Sequence, residues 1–121
     1  MKLQYTMVFV SDTAKAKQFY NGKLGFKVVA DQPETKSVMF ETPDGRNLGV
    51  HVPSEASRHK AQIGRSTGIL FLVPNVDEAV KEMQAKGVTF TKTSDPRPER
   101  KDKAYFVDDD GNEYGLIEQL M

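Results

Sequence analysis

The chain has 121 residues, the length of one domain, enough for a hydrophobic core and short for two independent ones. Lys plus Arg and Asp plus Glu are equal at 17 each, so no net field recruits nucleic acid or an anionic membrane. There is no cysteine, which excludes a disulfide framework, a thiolate nucleophile and a cysteine metal site.

Residues 3–10, LQYTMVFV, mix β-branched and aromatic types and predict a strand, not a membrane span or a cleavable leader. A cytoplasmic protein is expected. Residues 11–25, SDTAKAKQFYNGKLG, predict a helix capped by Ser11 or Asp12, with Ala16, Phe19, Tyr20 and Leu24 on one face. Three strands follow, at 26–31, 37–41 and 47–52, separated by turn formers. The polar segment 53–67 reads as a connector. Strand 68–73 then leads to a helix over 75–87, capped by Asn75, with Val76, Ala79, Val80 and Met83 at helical spacing. Strands at 88–93, 104–108 and 113–119 complete the chain, interrupted by a charged, proline-containing stretch at 94–102 that reads as a solvated loop.

Both halves therefore read β-α-β-β-β, and their landmarks agree in order. The turn FETPDGRNLG at 40–49 returns as FVDDDGNEYG at 106–115, with Phe, turn glycine and strand glycine each displaced by 66 (106 − 40, 111 − 45, 115 − 49). The helix-opening Asp12 and Asn75 are 63 apart (75 − 12), and Gly25 and Gly87 are 62 apart (87 − 25). One module is repeated, as module 1 over 1–52 and module 2 over 68–121. Neither half alone looks able to bury both faces of its sheet, so a single α+β domain over 1–121 is expected.

With VSDTAKAKQFYNGKLGF opening the first module and FVDDDGNEYGLIEQ closing the second, the chain resembles the vicinal oxygen chelate superfamily, which includes glyoxalases, bleomycin-resistance proteins and extradiol dioxygenases. The resemblance covers essentially the whole chain. It implies that the two modules form a curled, barrel-like mixed sheet around a cavity. Metal enzymes of that family take one ligand from each of four strands. By the family's spacing those positions fall on Tyr5 and Gly68, seven residues before Asp12 and Asn75, and on Gly49 and Gly115, four after each turn glycine. Three have no side chain and the fourth is a phenol, whereas a divalent ion wants imidazole or carboxylate. The family's metal pattern is absent.

Strand alternation extends the inferred wall. If Tyr5 faces inward, so do Met7 and Phe9, while Thr6, Val8 and Val10 pack on the helix. Leu70 and Leu72 follow Gly68, His51 follows Gly49, and Ile117 follows Gly115. The glycines are expected to clear ligand volume, with plain backbone requirements as the competing explanation. His51 is expected to hydrogen-bond or pack, and Glu41 and Glu118 to be solvated. The favoured reading is a metal-free, cofactor-free binding protein with no assigned catalytic residue. It would hold an apolar or aromatic compound between the modules by sequestration, as a homodimer. The alternative is a metal-dependent glyoxalase-like lyase, isomerase or dioxygenase with displaced ligands.

Overall fold

In each half of the chain, a four-stranded mixed sheet forms from strands such as Ser37–Glu41 and Lys103–Val107, whose residues alternate between buried and partly exposed, one face buried and the other more open. The structure, a computed structural model, describes residues 1–92 and 103–118, so the loop expected at 94–102 lies outside the described residues. Two compact units divide the chain, Met1–Gly64 and Arg65–Met121. No helix among the described residues is long and apolar enough to cross a membrane.

The first unit runs β1 (Thr6–Phe9), α1 (Thr13–Ala16), a π-helical segment (Lys17–Lys23), β2 (Lys27–Gln32), β3 (Ser37–Glu41) and β4 (Asn47–His51). Its sheet order is β1-β4-β3-β2, with β1 parallel to β4 and the other pairs antiparallel. The second unit runs β5 (Ser66–Leu72), α2 (Val76–Ala85), β6 (Thr89–Lys92), β7 (Lys103–Val107) and β8 (Glu113–Ile117), in the equivalent order β5-β8-β7-β6. The expected β-α-β-β-β repeat is thus present. It extends to irregularities: the register shifts between Val28 and Ala30 in β2, and between Phe90 and Lys92 in β6, again 62 apart (90 − 28, 92 − 30). A register shift of this kind is the mark of a β-bulge or a like irregularity, so the repeat extends to strand irregularity as well as strand order.

Both helices start as their caps dictate. The Asp12 carboxylate accepts from the Lys15 N–H at 3.0 Å, and the Asn75 side chain accepts from the Glu78 N–H at 2.9 Å. The Lys15 hydrogen bond holds the Asp12 carboxyl below the usual carboxylate range. The first helix departs from the continuous α-helix expected over 11–25. After Ala16 it widens, the Leu24 N–H reaching the Phe19 carbonyl and the Phe26 N–H reaching the Tyr20 carbonyl. The Asn21 side chain closes the end by donating to the Phe26 carbonyl at 2.7 Å. In this wide turn the neighbours Phe19 and Tyr20 are both fully buried, which makes them two adjacent anchors on the sheet.

Two further expectations are corrected. The first strand is shorter than 3–10, and Thr6 is exposed instead of packing with Val8 and Val10. Between β4 and β5, Arg58–Gln62 forms a 3-10 turn capped by Ser57. Glu118 is not simply solvated: its carboxylate accepts from the Val76 N–H at 2.8 Å, satisfying a free donor at the start of α2 and placing negative charge at the positive end of the helix.

Candidate functional site

Register fixes which side chains share the open face of each sheet. In the first unit one rung is Met7–Gly49–Met39 and the next is Phe9–His51–Ser37, from paired positions on β1, β4 and β3. Val8, Val50 and Val38 point the other way and are buried. A Cβ at Gly49 would meet the Met7 and Met39 methyls at 3.1 and 3.2 Å. The space over this glycine is therefore covered by the flexible ends of two methionines. Tyr5 lies just before β1 and is 45% exposed.

The second unit repeats the rungs as Leu70–Gly115–Tyr105 and Leu72–Ile117–Lys103. A Cβ at Gly115 would collide with Leu70 Cδ2 and stand 3.3 Å from the Tyr105 ring, so the absent side chain lets Leu70 lie across the strand. Ile117 is buried, but Leu70 and Leu72 are 47% and 57% exposed. Gly68 is different. It sits at φ +74° within the register shift between Ser66 and Leu70, and no atom lies within 4 Å of a built Cβ. Left-handed backbone at a bulge is reason enough for glycine there, independent of any ligand.

The polar end of the first face is organised by rings. His59, from the 3-10 turn, stacks on Phe9 with centroids 4.5 Å apart and planes at 6°, and Phe9 meets His51 edge-on at 6.4 Å and 73°. His51 Nδ1 lies 2.8 Å from the Ser37 hydroxyl. His59 Nδ1 is buried and finds no hydrogen-bond partner among the described residues. A buried polar atom left unpaired costs about 1–3 kcal/mol. His59→Phe should therefore keep the stack, remove the orphan and raise stability by about 1 kcal/mol. Chemical denaturation measures it, and an unchanged or lower midpoint would show that Nδ1 is satisfied in solution.

The sequence did not single out His59, Ser37, Met39 or Tyr105. Counting outward from the two β-turns would have put Met39 opposite Gly49, Ser37 opposite His51 and Tyr105 opposite Gly115. Nothing local marks His59, because its partner is 50 positions away (59 − 9) on another element.

Metal chemistry fits these side chains poorly. Among the described residues no three His, Asp or Glu side chains converge on a common point. Of the four positions where related enzymes would carry ligands, Gly49, Gly68 and Gly115 offer no donor, and Tyr5 offers an exposed phenol. His51 stands opposite Ser37 and Phe9, with no carboxylate among its described contacts.

Two duplicated β-α-β-β-β units with parallel outer pairing and repeated turns are the architecture of the glyoxalase fold. The chain belongs to the Glyoxalase/Bleomycin resistance protein/Dioxygenase superfamily, whose sequence profile matches residues 2–116. A superfamily member from Sphaerobacter thermophilus is similar in structure, with a TM-score of 0.82 and 31% identity over 98% of both chains. TnmS3, an antibiotic-binding protein from Streptomyces sp. CB03234, is similar with a TM-score of 0.75 and 29% identity, covering 99% of this chain and 97% of that one. The Bacillus subtilis protein YurT is 31% identical over 101 residues, which are 75% of this chain and 79% of its own.

Proposed function

We propose that the protein binds an apolar or aromatic small molecule against these open sheet faces, without a metal or other cofactor, and acts by sequestration in the cytoplasm rather than by catalysis. The observation that carries this reading is the composition of the faces. Sheet surfaces meant for water are polar, yet here Met7, Met39, Leu70, Leu72 and Tyr105 line faces whose polar groups are few. Similarity to an antibiotic-binding protein at 29% identity supports it. A flat ring resting on Phe9 or Tyr105 would gain about 0.5–1.5 kcal/mol beyond area burial, and His51 or the Tyr5 hydroxyl would orient it.

The test is to crowd the two rungs. Leucine at Gly49 must displace the Met7 and Met39 methyls, and leucine at Gly115 must displace Leu70. Each variant should bind hits from a polycyclic aromatic library at least about tenfold more weakly, a loss of about 1.4 kcal/mol. The exposed control Lys81→Ala should bind as the parent does. Folded leucine variants with parental affinity would show that the ligand sits elsewhere. A rise in Tm with nickel, zinc, manganese or iron(II), abolished by His51→Ala, would favour the metal-enzyme reading instead.

Exposed Leu70 and Leu72 also favour a symmetric homodimer. Sedimentation at tens of micromolar should show a species of twice the 13.6 kDa chain mass, and a monomer alone would refute the assembly.

A further inference from the structure

We propose that Ser37 holds His51 in the tautomer protonated on Nδ1, so that Nε2 presents a bare lone pair and the face selects aromatic molecules that donate a hydrogen bond, such as phenols; this rests on the binding function proposed above. Ser37 and His51 are cross-strand partners on the open face. The Ser37 hydroxyl stands between two groups, His51 Nδ1 at 2.8 Å and the Thr35 carbonyl at 3.2 Å. A hydroxyl has one proton and two lone pairs, and a carbonyl can only accept. When the proton is donated to Thr35, the hydroxyl oxygen is left to accept, and Nδ1 must carry the hydrogen. The neutral ring then has its acceptor at Nε2.

The backbone sets up this relay. Pro33–Thr35 forms a 3-10 turn closed by the Lys36 N–H on the Pro33 carbonyl, with Lys36 left-handed at φ +54°, and this brings the Thr35 carbonyl back beside Ser37. The Lys36 carbonyl in turn accepts from the Val52 N–H at 3.0 Å, fixing the residue after His51 against the same turn. Phe9 stands edge-on to the imidazole. No described group pairs with Nε2. One rung away, the Met7 and Met39 thioethers offer a soft floor for an aromatic ring. A ring on that floor places a hydroxyl substituent toward His51. A ligand offering only an ether or carbonyl there would set acceptor against acceptor. Ser37 is thus a positioning residue, and His51 the group that reads the ligand.

Two measurements test the proposal, both at about pH 8, where ordinary imidazoles are neutral. Nitrogen NMR of the histidine side chains should show His51 protonated on Nδ1, with tautomers mixing in Ser37→Ala. The binding probes are β-naphthol and its methyl ether, which share a ring system but differ in the donor. The wild type should prefer β-naphthol about tenfold. Ser37→Ala should reduce the preference and His51→Leu should abolish it. An Nε2-protonated His51 in the wild type overturns the tautomer assignment. Equal affinities for the two probes with Nδ1 protonated overturn the ligand class. If neither compound binds while hits from the polycyclic library do, the ligand class is overturned and the binding function stands; if the library gives no hits either, the binding function falls, and the NMR result still decides the role of Ser37.

Discussion

Phe106→Ala is expected to lower stability by about 3–5 kcal/mol. Phe106 is 1% exposed and sits among three rings, with centroids at 5.4 Å to Tyr114, 5.7 Å to Phe90 and 6.2 Å to Phe71. Truncation removes the transfer free energy of the ring, opens a void that β-sheet backbone cannot close, and strips each neighbour of a packing partner. Against a total of about 5–15 kcal/mol for an ordinary domain, that is a large share. Phe106→Leu, which keeps most of the volume, should cost much less. Urea unfolding followed by circular dichroism measures both. Similar midpoints for the alanine and leucine variants would mean that the site collapses and the rings are not the main support.

Asn112→Ala should cost about 2–3 kcal/mol, an effect set by polar pairing in place of packing. Asn112 is 1% and Asp108 6% exposed, and the Asn112 amide donates to Asp108 Oδ2 at 2.8 Å. The other carboxylate oxygen accepts from the Asp110 and Asn112 N–H groups, both at 2.9 Å, which ties the turn closed. Loss of the amide leaves one oxygen of a buried carboxylate without that donor, and hydrogen bonds to charged groups are the expensive ones to lose. A double-mutant cycle with Asp108→Ala isolates the pair. The two losses should not add, because each removes the same interaction, and additive losses would show that the residues act separately.

Much of the architecture was legible because duplication writes the same signal twice. Asp12 and Asn75 were readable as caps, since a short acceptor before an apolar periodic run has one structural use. The turn at Thr42–Arg46 and its copy at Asp108–Asn112 pair the same backbone atoms, with Thr42 Oγ1 accepting from the Arg46 N–H where Asp108 accepts from that of Asn112. The π-helical widening at Phe19 and Tyr20 was not legible, because two adjacent buried aromatics fit an α-helical pattern nearly as well. The role of Glu118 depends on a helix start 42 residues earlier, which periodicity cannot report. The face was only half readable. Sequence shows that Gly49 and Gly115 lack a Cβ, but which side chains lean into the space follows from the register of neighbouring strands. Gly68 belongs with the backbone requirements, its left-handed φ supplying the reason.

The coverings of the two equivalent glycines differ in stiffness. Over Gly49 lie two unbranched thioethers, each with three rotatable side-chain bonds and a polarizable sulfur, while over Gly115 lie a branched aliphatic chain and a phenol ring with few rotamers. The repeated module thus presents one malleable surface and one firm one: the same strand position yields to a change of shape in the first unit and resists it in the second.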